Sequence, residues 1–231
     1  MYKGLPFKTE WVEFPDVAAR MKEVGAVPTE KDRDGNPKYT LPVILDSSTG
    51  KVITNSIRIA EYLDDTYPNS PSLFPPIGGQ STHSRAAIHI LDAHFMNTAL
   101  QPMRLAFIAS INAVFNPRSQ EYFRSAREKD FGMKLEDIAP TGSVKRKAMF
   151  IAGKEGFSKL ASMYEENGAD LPYFFGKTFS YADCIVTGFL FWMRRLLGED
   201  SAEWKDIATW DGGRWAKLLD LSKDYYKLEN I

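Results

Sequence analysis

The segment PNSPSLFPPIGG, Pro68–Gly79, places four prolines and two glycines in twelve residues. Proline lacks a backbone N–H and fixes φ, so neither a helix nor a central strand runs through such a stretch. The chain must therefore change character across it. Upstream, β-type and helical patterns alternate; downstream, every periodic apolar pattern is helical. This implies a small α/β domain over residues 1–74, a linker over 75–80 and an all-α domain over 81–231. A length of 231 residues suits two modest domains.

In the first part, LPFKTEWVEF (Leu5–Phe14) alternates around Trp11 and predicts a strand. Val17, Met21 and Val24 predict a short helix stopped by Gly25. Residues 31–37, KDRDGNP, read as a polar loop. Thr40–Leu45 and Lys51–Ile53 read as two strands joined by SSTG. Ile57, Ala60, Leu63 and Tyr67 then predict a helix from Ser56 to about Thr66. Beyond the linker, residues 81–113 read as one long helix bent at Pro102. Further helices are expected over 120–129, ended by Gly132, and over 143–167, ended by Gly168. Ser180-Tyr181-Ala182-Asp183 has the form of a capping box opening the next helix, Asp standing in for the usual Glu. Shorter helical pieces follow around Trp210 and Trp215.

Several classes of function fall away on composition. The 29 basic and 30 acidic residues nearly cancel, without the one-sided charge of a nucleic-acid surface. Cys184 is the single cysteine, which excludes an intramolecular disulfide, and its apolar surroundings predict burial. No secretory h-region or membrane-length apolar run is present, so a cytoplasmic protein is expected. His83, His89 and His94 share a helix at offsets of six and five, which sends them to different faces. No metal site is expected.

Two places carry candidate chemistry. Pro42, between Leu41 and Val43, is either an edge-strand proline or a cis turn that offers the backbone of Leu41 to a peptide-like ligand. Asn55 or Ser56 caps the following helix. The third helical position is then Arg58 or Ile59, and neither is acidic, so first-turn amides would be open to an external carboxylate. The pair is either a plain cap or part of an anion site.

TLPVILD, a hairpin, NSIRIAEYLDDTYP, the proline-rich linker, a helical second half and FSYADCIV, taken in this order, resemble a cytosolic glutathione transferase over essentially the whole chain. YKGLPFKTEWVEFPD, TLPVI and SQEYFRSARE are more narrowly similar to the fungal Fu-A class, related to bacterial β-etherases. The resemblance implies a thioredoxin-like N-terminal domain, an all-α C-terminal domain and a homodimer joined between the small domain and the long helix. It makes Pro42 the cis-proline and gives Leu41 a backbone contact to the cysteinyl part of glutathione. Ser56 and its neighbouring amide would take the γ-glutamyl carboxylate. Asn55 stands where many members carry an acid for the ammonium, and an uncharged amide should bind it less strongly. Lys38 and Tyr39 are candidates for the other end of the tripeptide. Phe95, Met96, Met103 and Phe107 would face an aromatic, plant- or wood-derived second substrate, although their spacing also suits plain core. Ser180 and Asp183 would be structural.

One departure stands out. The family's first βα unit, with the serine, tyrosine or cysteine that assists the sulfur, has no counterpart before Tyr2. Ser47, Ser48 and Ser70 follow the wrong elements to replace it. The expectation is a shortened version of a longer protein, its assisting serine upstream and its N-terminal domain lacking the first strand and most of the first helix. A non-catalytic glutathione-dependent ligand carrier and an inactive shortened form are the alternatives.

Overall fold

The computed structural model describes residues 1–32, 34–77 and 82–226, without the side chains of Thr82 and His83. Linker residues 78–80, the His83 side chain and the tail past Tyr226 thus lie outside the described residues.

The N-terminal part is built on two antiparallel hairpins and two helices. Strand β3 (Val43–Asp46) pairs with β4 (Lys51–Thr54), Val43 opposite Thr54 and Asp46 opposite Lys51. The turn closes because Gly50, at φ 71°, donates its N–H to the Asp46 carbonyl at 2.8 Å. Asp46 also fastens the turn to helix α2 (Ser56–Thr66). Its carboxylate accepts from the Ser48 N–H (2.9 Å) and from the Tyr62 and Tyr67 hydroxyls (2.6 and 2.7 Å). Hydrogen bonds from Ser48, Tyr62 and Tyr67 hold its pKa well below the usual carboxylate range. Helix α1 (Val17–Glu23) precedes the hairpins and stops before Gly25, at φ 75°.

Two local expectations are corrected. Residues 31–37 are not simply loop: β1 (Glu30–Lys31) pairs with β2 (Pro37–Lys38). Asp32 folds the turn through its side chain, accepting from the N–H groups of Asp34 (3.0 Å) and Asn36 (2.8 Å). Leu5–Phe14 forms no strand. It runs irregularly into a 3₁₀ turn at Phe14–Asp16. Alternation makes a strand only where a neighbour supplies the ladder. None runs beside it among the described residues, and Phe7 and Trp11 remain 60% and 71% exposed.

The C-terminal part is helical throughout. Its first element is an interrupted rod: α3 (Thr82–Phe95), a π-helical stretch (Met96–Leu100), α4 (Gln101–Met103), a 3₁₀ turn (Arg104–Phe107) and α5 (Ile108–Ala113). The bend expected at Pro102 is distributed over these changes of pitch. Proline cannot donate to the Thr98 carbonyl four residues back, and the ladder rewinds around the gap. Helices α6 (Pro117–Phe131), α7 (Leu135–Ile138), α8 (Val144–Glu165), α9 (Tyr181–Leu197) and α10 (Ala202–Leu221) complete the domain. The single turn α7 escaped the sequence reading, because four residues are too few to show a period. Trp210–Gly213 leave helical geometry, so α10 is two helical pieces meeting at a kink. Phe95, Phe107, Phe157, Tyr164, Trp210 and Trp215 are fully buried and form the aromatic centre of the core.

The capping box at the start of α9 is present. Asp183 Oδ2 accepts from the Ser180 N–H and hydroxyl, both at 2.9 Å. Oδ1 accepts from the Phe174 N–H (2.9 Å) and the Tyr164 hydroxyl (3.1 Å). Burial pushes the Asp183 pKa up to about 6, although these donors favour the charged form. A raised acid pKa means that the folded state holds the proton more tightly than the unfolded one. The stability contributed by Asp183 is thus full below its unfolded value of 3.8 and declines as pH rises to about 6. At about 1.36 kcal/mol per unit, the decline is about 3 kcal/mol. Urea unfolding at pH 4 and pH 7 should show wild type losing that advantage over Asp183→Asn, which cannot titrate. An unchanged difference between the two pH values would refute this.

Candidate functional site

The ladder of β3 and β4 decides what meets at its open end. Because Val43 pairs with Thr54, Leu41–Pro42 and Asn55–Ser56 leave the hairpin side by side, opposite the SSTG turn. The Leu41–Pro42 peptide is cis, the turn reading of that proline. Leu41 stands outside the ladder, 48% exposed, and its backbone makes no backbone hydrogen bond among the described residues.

Asn55, not Ser56, caps α2. At φ 75°, it turns its side-chain oxygen onto the N–H groups of Ile57 (3.2 Å) and Arg58 (3.4 Å). The expectation of an open first turn is corrected accordingly: no acidic third residue is required, since the cap itself covers two amides. Ser56 remains exposed at the mouth of the helix. Near it lies Tyr181, the first residue of α9; burial pushes the Tyr181 pKa up to about 12, although interaction with Ser56 works to lower it.

Tyr181 was missed by sequence reasoning. Its only signal was a polar phenol directly behind a helix cap. The structure ties it in firmly. Its N–H donates to the Leu73 carbonyl at 2.8 Å, and its ring lies 5.8 Å from that of Phe74. The N–H groups of Leu73 and Phe74 donate to Asp64 near the end of α2, at 2.9 and 3.0 Å. Asp64 in turn pairs with Lys3 at 2.7 Å, both side chains almost fully buried. The N-terminal segment, α2, the linker and α9 are thus joined behind Ser56.

The remaining candidates divide. Lys38 pairs with Glu30 at 2.7 Å, and Lys22 lies over the Tyr39 ring at 5.6 Å. Phe95 and Met103 are fully buried in the core. Met96 instead borders an open cavity of about 110 Å³ beside the bend, with Leu100, Phe189 and Trp192 as further walls and the fully buried Phe107 at its back. Gln101 and Arg104 stand at its edge, and its surface is almost wholly apolar. Cys184 is held inert, burial pushing its thiol up to about 12. His89 bonds Glu61 at 2.8 Å, and among the described residues no three potential ligands converge as a metal site. No described helix is long and apolar enough to cross a membrane.

Comparison with known proteins agrees with this architecture. Residues 1–66 match the glutathione S-transferase N-terminal domain, and residues 86–225 match the C-terminal domain. A glutathione S-transferase of Ceriporiopsis subvermispora, solved in complex with glutathione, is 43% identical, with a TM-score of 0.91 over 100% of this chain and 88% of that one. Glutathione transferase GSTFuA3 of Phanerochaete chrysosporium is 38% identical, with a TM-score of 0.88 over 99% and 87%. The glutathione S-transferase-like protein ustS of Aspergillus flavus is 28% identical over 229 residues, 96% of this chain and 79% of its own length. The fold is accordingly a thioredoxin-like domain followed by an all-α domain, with fungal proteins as its relatives, and the chain belongs to the glutathione S-transferase family.

Proposed function

We propose that the chain binds glutathione where Leu41–Pro42 meets Asn55–Ser56 and, as a transferase, presents the sulfur to an apolar aromatic acceptor beside the bent rod. The observation that carries this is the strand register, which puts the two segments at one corner in a family with a glutathione-bound relative. The Leu41 backbone takes the cysteinyl portion. The Ser56 hydroxyl and N–H take the γ-glutamyl carboxylate, favoured by the positive end of the α2 dipole. Asn55 can still accept from the ammonium, but its oxygen already serves two amides, so that contact is weak. Lys38 and Tyr39 serve the glycyl end.

A free thiol has a pKa of about 8.5 and is mostly protonated at neutral pH. A hydroxyl donor that favours the thiolate raises the fraction able to attack. The resemblance assigns that hydroxyl to a serine on a βα unit ahead of Met1. Turnover is therefore to be assayed on this chain and on the sequence extended upstream, with aryl ethers of lignin type and a model electrophile. Binding without turnover in both would make the protein a glutathione-dependent carrier. A homodimer is part of the same proposal, supported by exposed Leu45 on β3 and Ile90 on α3. Light scattering of the extended and present chains tests it, and a monomer in both removes it.

Isothermal calorimetry with glutathione tests the site. Ser56→Ala should bind about tenfold more weakly, as loss of one charge-assisted bond predicts. Wild type that gives no heat with glutathione, in either form of the chain, ends the proposal.

A further inference from the structure

Nine of the eleven described arginines lie within 4.0 Å of a carboxylate. Arg104 and Arg195 do not. Arg104 lines the cavity beside the bend. Arg195 is exposed on α9, outside the residues that line this cavity. Arg104 thus brings a guanidinium without a carboxylate partner to the edge of this cavity, and no acidic side chain lines it.

The walls point to an aromatic occupant. Phe107 and Trp192 have ring centroids 5.0 Å apart, and Met96 and Leu100 line the same space. The cavity is of about 110 Å³ and open on one side. An enclosed apolar cavity of about 150 Å³ holds benzene, so this smaller one takes part of a ring, the rest of the ligand lying at its open side. Arg104 stands three residues before Phe107 in a 3₁₀ turn, where such side chains stack in register. A guanidinium fork in that position matches a carboxylate in two places.

We propose that this cavity selects aromatic acids: the ring enters against Trp192 and Phe189, and the carboxylate is held by Arg104 at the cavity's edge. The inference rests on the acceptor site proposed above and names its ligand class.

Calorimetric titration of trans-cinnamate and its neutral isostere cinnamamide tests it, with and without glutathione. Wild type should bind cinnamate at least about tenfold more tightly than cinnamamide, the margin of a charge-assisted bond. Arg104→Gln should bring the two within about twofold, while Arg127→Gln, whose arginine is paired with Asp130, should leave the preference intact. Met96→Trp, which fills the cavity mouth, should abolish binding of both. The inference is overturned by equal affinities, by no binding, by a preference that survives Arg104→Gln, or by cinnamate binding that survives Met96→Trp. Titrations without glutathione keep the two proposals separate. A cinnamate preference in protein that ignores glutathione sinks only the transferase reading, and glutathione binding without the preference sinks only this one.

Discussion

Gly156→Ala is expected to destabilise the protein by at least about 3 kcal/mol, the range of a severe core overpacking. Helix propensity alone predicts the opposite sign, since alanine is favoured over glycine by about 1 kcal/mol in a helix interior. The contact overrules propensity. A Cβ at Gly156 would fall inside the Thr98 carbonyl and against the Ala99 Cα, both backbone. These atoms belong to the π-helical stretch that Pro102 imposes, so they cannot yield without unwinding the rod again. Gly153, one turn earlier on α8, provides the control. Its Cβ would meet the Met103 side chain, which can rotate away, so Gly153→Ala should cost about 1 kcal/mol or less. Urea unfolding followed by circular dichroism separates the two. Similar midpoints for Gly156→Ala and wild type would show that the rod and α8 are not in close backbone contact. The same clash would displace Met96 and Leu100, so the variant should also lose cinnamate binding.

Lys3→Met is the second large effect, about 3–5 kcal/mol, because it leaves a buried carboxylate without its counter-charge. Lys3 Nζ donates to Asp64 at 2.7 Å and to the Pro71 carbonyl at 3.1 Å. Burial alone would raise the Asp64 pKa, but bonds from Lys3, Ser72, Leu73 and Phe74 outweigh it and the pKa is lowered. A lowered acid pKa contributes stability that is present above the unfolded value of 3.8 and lost as pH falls through the folded one. Without Lys3 the balance tips towards burial, and protonation relieves the strain instead. Lys3→Met should therefore close part of its gap to wild type as pH falls from 7 to about 4, as Asp64 takes up its proton. Chemical unfolding across that range measures the gap; a gap that widens on acidification would show that Lys3 is not the counter-charge. Asp64→Leu should cost at least as much as Lys3→Met, since it strips acceptors from two backbone amides as well.

Both effects show where local reading stops. Helix α2, Ser56–Thr66, was legible in its start and approximate end, because its apolar period, its polar cap and the following proline all agree. The β3–β4 hairpin and the Ser180–Asp183 box were legible for the same reason: each is settled within a few residues of chain. Leu5–Phe14 has an equally clear alternation and forms no strand, because a strand needs a partner that its own residues cannot supply. At the candidate site, Pro42 and Asn55–Ser56 could be named from sequence. The choice of Asn55 as cap could not, since Asn and Ser are equally good caps. Tyr181 lies 125 positions from Ser56 and was out of reach of any spacing argument.

The sequence by itself determined the order of helices and strands in most of the chain and the corner that the hairpin register creates. These follow from backbone rules that act over a few residues. Only the tertiary structure decided that Met96 borders a cavity while Phe95, Met103 and Phe107 are buried, and that Arg104 and Arg195 are left without acids. An apolar period shows that a helix has a buried side. What that side is buried against, and where a gap remains, depends on neighbours brought in from distant parts of the chain.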